Sequence, residues 1–211
     1  MRLYFYTANR FKYRFAEGLL GQYGVVLKMV KPEFKEVQAE RAEEVVADAL
    51  EHAVLLPAIA EDSGLFIRAL GGFPGTITGY VQRTLTAGYL LNLLEGERNR
   101  KACFRSVVGL REREGGIRFF TGEMCGVIAE EERGNSRYWY DNIFVPEGES
   151  RTLAEMSMEE VMRISDWKKS FTSLGEYLAK KSGETDPPPT GDTALRLSNI
   201  RQPSSQKKNW Q

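Results

Sequence analysis

The stretch "EDSGLFIRALGGFPG", residues 61–75, sets two adjacent carboxylates and a Ser-Gly ahead of an apolar run and a glycine-rich loop. An apolar segment precedes it, so the sequence predicts a short strand starting near Pro57 and ending at Glu61. Like charges side by side repel, and a strand that ends on Glu61 and Asp62 calls for positive charge nearby. Working backwards, "RLYFYT" (2–7) is rich in aromatic, β-favouring residues and reads as a strand. From Phe11 the apolar residues recur at helical spacing, through Phe15 and Leu19 to Tyr23, and Gly24 closes that helix. "VVLKMV" (25–30) reads as a second strand. Residues 39–53 place Ala42, Val45, Val46, Ala49, Leu50 and Ala53 on one helical face, with glutamates opposite. Strand, helix, strand, helix, strand is an α/β opening.

Working forwards, "GGFPG" (71–75) is followed by a helix over about residues 79–94. "ACFRSVVGLRE", "IRFFTGE" and "MCGVIAE" read as short alternating strands, the first two joined by a hairpin turn at Gly115-Gly116. "NIFVPEG" (142–148) is a further strand candidate. Ser157 and Glu160 have capping-box spacing and open a final helix running to about Lys181. Residues 1–182 thus form one domain. From Gly183 the chain is polar and rich in Pro and Ser, and this tail (183–211) reads as disordered or as a linker that orders on contact.

Composition excludes several classes. The 29 Lys and Arg balance 29 Asp and Glu, so there is no electrostatic footprint of a nucleic-acid binder. No apolar stretch reaches the roughly 20 residues of a membrane span, and "MRLYFYTANR" is unlike a signal peptide. Cys103 and Cys125 have neither zinc-site spacing nor that of a disulfide framework, so a soluble, cytoplasmic protein with reduced thiols is expected. The single histidine, His52, lies in a helical pattern and reads as a surface residue.

Three places carry chemistry. "TANRFK" (7–12) joins a strand to a helix N-terminus, where backbone N–H groups and the helix dipole favour anions and Lys12 adds a point charge. An ordinary turn capped by Asn9, with Lys12 solvated, is the alternative. "KEVQAE" (35–40) offers Glu36 just before a helix, where it could equally complement the dipole. Glu61 and Asp62 are either a solvated acid pair or oxygen ligands for a hard cation such as Mg²⁺. An anion cradle and a carboxylate cluster in one cleft are the two halves of a phosphate-plus-magnesium site.

In order and rough spacing, "TANRFK", "EVQAE", "EDSGLF" with "GGFPG", "FTGEMCGVI" and "YDNIFVPEG…TLAEMS" resemble the Ham1 family of inosine triphosphate pyrophosphatases, over about residues 2–181. The resemblance implies the α/β ITPase-like (Maf/Ham1) fold: two lobes around a long mixed sheet, with substrate in the cleft between them. It also implies Mg²⁺-dependent hydrolysis of nucleoside triphosphates such as ITP, dITP and XTP to the monophosphate and pyrophosphate, by a homodimer. Carried over by position, Thr7, Asn9 and Lys12 hold the triphosphate, with Lys12 also catalytic. Ser63 touches phosphate, and Glu36 and Asp62 bind the metal with Glu61 supporting. Asp62 also orients or deprotonates the attacking water. Tyr138, Tyr140 and Asp141 form the base-binding end.

That end departs from the family. Trp139 stands where a glycine is expected, in Tyr138-Trp139-Tyr140-Asp141, and Val161, Asp166 and Trp167 replace a lysine, a histidine and an arginine. Ionised Asp166 supplies only acceptors where the family supplies donors, so selection for a 6-oxopurine is expected to weaken. A retained fold serving as a non-catalytic nucleotide-binding or interaction module is the competing reading.

Overall fold

In the computed structural model, residues 1–35 and 37–183 are described. Glu36 and the expected tail from 184 onward lie outside them. Seven strands form one mixed sheet in the order β2-β1-β3-β5-β6-β7, with the two-residue β4 (Pro74–Gly75) paired to β3. β1 (Arg2–Tyr6), β2 (Val26–Val30) and β3 (Ala58–Ile67) are parallel, and β5 (Lys101–Arg111), β6 (Ile117–Ile128) and β7 (Phe144–Pro146) run antiparallel. Parallel neighbours need crossovers, which α1 (Arg10–Gly21) and α2 (Ala42–Glu51) supply. α3 (Thr78–Thr84), α4 (Ala87–Leu93), α5 (Met158–Ile164) and α6 (Asp166–Ser182) complete the helices.

Three apolar clusters fill the fold. Phe5, Phe15, Leu20, Val108 and Phe171 pack where α1 and α6 meet one sheet face. Val46, Leu50, Ala58 and Val107 pack α2 on the opposite face. Leu65, Ile67, Leu90, Met124 and Phe144 form the core of a second lobe under α3 and α4.

Four boundaries differ from the sequence-based expectation, each for a reason outside the local pattern. β3 does not stop at Glu61 but continues to Ile67. It pairs residue for residue with β5, which bridges both lobes, so its ladder never lapses at the acid pair. "IRFFTGE" and "MCGVIAE" are one strand, β6. Gly122, next to the expected boundary, marks a close approach rather than a break: a Cβ there would sit 2.1 Å from the Asp166 carbonyl of α6. The helix expected over 79–94 divides at Leu85–Thr86, where both residues are extended. The final helix divides at Ser165, although both halves of the Ser157–Glu160 capping box form. Ser165 is a second N-cap, its Oγ accepting the Trp167 N–H at 3.2 Å.

The expected reduced thiols are also corrected. Cys103 and Cys125 are directly opposed in the β5–β6 register and form a disulfide. Their 22-residue separation carries no motif, because the pairing arises from the hairpin register alone. Among the described residues no helix is long and apolar enough to cross a membrane.

Candidate active site

β1 pairs with β3 only at Ala58 and Ile59, and β4 meets β3 only at Leu65 and Phe66. Between them the β3 edge at residues 60–64 faces a cleft of about 770 Å³ that opens where β1 ends. Ligand crevices in open α/β sheets form at such carboxyl ends. Thr7, Asn9, Lys12, Glu61, Asp62 and Ser63 all line this cavity, so six of the sequence-derived site residues meet in one place.

The turn after β1 is built by its own side chains. Asn9 caps α1, its Oδ1 accepting the N–H groups of Phe11 at 3.0 Å and Lys12 at 3.1 Å. Thr7 Oγ1 accepts the Asn9 N–H at 3.1 Å. Two first-turn N–H groups are therefore committed to the cap, and the cradle offers side-chain donors: the Thr7 hydroxyl, the Asn9 amide and the Lys12 ammonium.

Strand geometry separates the acid pair. Glu61 is opposite Val108, a residue of the α1/α6 core, whereas Asp62 is opposite Val107, a residue of the α2 core. Side chains alternate along a strand, so adjacent carboxylates leave on opposite faces and need not share one cation. Glu61 has a partner within the fold: Lys12 Nζ lies 2.7 Å from its Oε2, and its side chain has no solvent exposure. The same ammonium donates to Ser63 Oγ at 3.2 Å. Ser106 donates to Glu61 Oε1 at 3.1 Å and lies 2.9 Å from Ser170 Oγ, which donates to the Trp167 carbonyl. A polar chain thus runs from α1 through β3 and β5 into the first turns of α6. Sequence reasoning missed Ser106 and Ser170; alternation puts Ser106 on the Glu61 face, but nothing local marks it as a partner.

Where Val161, Asp166 and Trp167 stand, the structure is compact. Trp167 packs on Phe11 and Phe15 with ring centroids at 5.9 and 6.1 Å, and Lys12 Nζ lies 5.4 Å from its ring. Val161 packs against the second-lobe core. Asp166 is buried, and burial with the neighbouring Glu61 charge pushes its carboxyl from 3.8 up to about 7, against the opposing pull of the Trp167 N–H and Lys12. In the unfolded chain that proton is lost near pH 4, whereas the folded chain keeps it to about pH 7. Stability therefore falls as pH rises through this window and is flat above it. Asp166→Asn removes the penalty: its melting temperature is expected to exceed that of the wild type at pH 8, with the gap closing toward pH 4. A gap of constant size across that range would show that Asp166 does not titrate this way.

Tyr138, Tyr140 and Asp141 lie between β6 and β7 and do not line the cleft described above. Tyr140 is 3% exposed, and its hydroxyl, which burial pushes up, has no hydrogen-bond partner among the described residues. Trp139 lies against it with centroids 3.8 Å apart, and its indole N–H donates to the Gln82 carbonyl of α3 at 3.1 Å. Asp141 accepts from Ser136 Oγ at 2.6 Å, and burial raises its pKa. Tyr138 is exposed, beside the Arg137 guanidinium. α3 adds Tyr80 and Arg83 to the cleft wall, and neither carries a sequence signal that distinguishes it from a surface residue.

Similarity to known proteins extends over most of the chain. The Ham1 family profile matches residues 3–177. A dITP/XTP pyrophosphatase of Methanopyrus kandleri is 44% identical over 180 residues, covering 84% of this chain and 96% of that protein. One from Pyrococcus horikoshii is 40% identical over 181 residues, covering 84% and 97%. The solved structure of a HAM1 protein from Coxiella burnetii superposes with a TM-score of 0.75 at 27% identity, covering 85% of this chain and 99% of that one.

Proposed function

The chain belongs to the Ham1 family, and from that premise we propose that it hydrolyses nucleoside triphosphates of non-standard purines, dITP and XTP among them, to the monophosphate and pyrophosphate. The observation that carries this reading is the single cleft, at the uncovered edge of β3, that Asn9, Lys12, Asp62 and Ser63 all line. Phosphoryl hydrolysis needs spread negative charge neutralised and a water held in line more than it needs a strong nucleophile.

In this proposal Thr7, Asn9, Lys12 and Ser63 bind phosphate oxygens, and Asp62 orients the attacking water and takes its proton. Mg²⁺ is held by one or two carboxylates and completes its shell from water and substrate phosphate. Asp62 fits that habit, and among the described residues no group of three ligating side chains makes an all-protein cage. Asp62 and Glu36 would hold the ion, which when bound offsets negative charge on the phosphates. Glu61 supports from behind, fixing the Lys12 ammonium through their 2.7 Å ion pair. Tyr138, Tyr140 and Asp141, which do not line this cleft, are assigned to the base end through the family resemblance alone, and the working form is a cytoplasmic homodimer.

The test is pyrophosphate release, with Mg²⁺, from dITP, ITP, XTP, ATP and a pyrimidine triphosphate. Turnover of dITP and XTP is expected; release from none of them would leave a non-catalytic nucleotide-binding module. Neither Val161 nor Trp167 carries a charged donor, and both pack on apolar neighbours. Preference for ITP over ATP is therefore expected well below the roughly 10⁴–10⁵-fold reached by sites with dedicated hydrogen-bond partners. A preference of that size would show that other donors replace the missing cations.

A further inference from the structure

The cleft takes charge from both lobes. Among the described residues, the charged side chains that line it are Lys12, Glu61, Asp62 and Arg83. Lys12 lies 2.7 Å from the buried Glu61 carboxylate, so their charges largely cancel inside the fold. That leaves Asp62 as a negative charge and Arg83 as a positive one. Arg83 is exposed on α3, and among the described residues it has no ion pair and no side-chain hydrogen bond. No described residue of α5 or α6 lines this cavity, so no cation enters from that side. A polyphosphate that enters beside Asp62 meets the Arg83 guanidinium as the uncompensated cation of the described cleft wall.

Its placement is fixed by the start of α3. Thr78 Oγ1 accepts the Leu65 N–H at 2.7 Å and donates to the Gly75 carbonyl, which ties this helix to β3 two residues past Ser63. Val81, on the same helix, is buried in the second-lobe core. Arg83 follows Gly79 by one helical turn, and a Cβ on Gly79 would sit 3.5 Å from Arg83 Nη1. The guanidinium therefore folds back along α3 over Gly79, itself a cleft residue. Its planar fork matches phosphate oxygens two at a time, and it keeps its charge at any working pH.

We propose that Arg83 binds the pyrophosphate half of the substrate from the second lobe, while the first βα turn and Ser63 hold the phosphate that stays on the nucleoside. The proposal rests on the pyrophosphatase reading above and adds to it the residue that receives the leaving group. Lys12 Nζ and Ser63 Oγ are 3.2 Å apart, next to Asp62 in the chain, and so belong with the phosphoryl group under attack. Arg83, from another element, is left for the phosphates that depart. As the water oxygen bonds to phosphorus, its proton passes to Asp62 and the bridging oxygen leaves with the electron pair of the broken bond. Arg83 faces the negative charge that gathers on that departing group.

Calorimetric titration of the full chain with magnesium pyrophosphate, and separately with dIMP, tests the contact without relying on turnover. Arg83→Gln is expected to weaken pyrophosphate binding about tenfold, or roughly 1.4 kcal/mol, and to leave dIMP binding and the urea midpoint unchanged. Arg83→Lys should fall between the two, because it restores the charge without the fork. In pyrophosphate release from dITP, kcat/KM of Arg83→Gln should drop by about the same factor. Unchanged pyrophosphate binding would overturn the proposal and leave Arg83 as a cation that complements the end of α3. Equal weakening of both ligands would overturn it too, since the effect would then be general attraction for anions, as would a wild type that does not bind pyrophosphate. A wild type that turns over no triphosphate, yet loses pyrophosphate affinity with Arg83→Gln, would sink the pyrophosphatase reading and leave the contact standing.

Discussion

Asp62→Asn is expected to lower the turnover number by about 10²–10⁴-fold, the range attributed to a positioned general base, with little change in folding stability. Asparagine keeps the size of the side chain but loses the negative charge and the ability to accept a proton. Asp62 lies in the middle of β3, a strand held on one side by an unbroken ladder to β5, so its backbone is fixed and the substitution alters chemistry rather than geometry. The check is pyrophosphate release from dITP at saturating substrate, beside the urea midpoint of both proteins. Equal rates would mean that the activity measured belongs to another site or another protein.

Lys12→Met is expected to damage both folding and activity. The Glu61 side chain has no solvent exposure, and Lys12 at 2.7 Å is its counter-ion. Removing one partner of a buried pair typically costs about 3–5 kcal/mol, because a charge is left uncompensated. Ser106 is the remaining hydrogen-bond donor to Glu61 on β5, and a hydroxyl carries no net charge. Adding Glu61→Gln should recover much of the lost stability, since glutamine keeps an acceptor for Ser106 without the charge. It should not recover activity, because the cationic phosphate contact is still missing. Denaturant unfolding of the two single variants and the double variant isolates the coupling. A Lys12→Met protein as stable as the wild type would show that Glu61 does not depend on this ion pair.

The contrast between Asp62 and Glu61 reverses the first inference from their adjacency. Two neighbouring acids at a strand end call for positive charge nearby. Once β3 runs through them, the period of two sends one carboxylate toward α1 and α6 and the other toward α2. Lys12 then completes the fold around Glu61 while also facing the cleft, so one lysine has a structural and a proposed chemical role. The disulfide follows the same logic, since the register of a hairpin paired the two cysteines and no spacing rule could.

The local structure of this chain was legible wherever a signal is short in range. The βα turn with Asn9 as cap, the crossover order of β1 to β3 and the capping box at Ser157 each depend on neighbours a few residues away. Tertiary structure alone decided how far strands extend, which acid meets which cation, and where Trp139 and Trp167 rest. Those outcomes depend on pairing across dozens of residues: β5 carries β3 past its charges, and α6 descends onto Gly122 because no side chain stands there. Sequence patterns encode which face a residue prefers; the partner on that face is fixed only when the sheet and helices close.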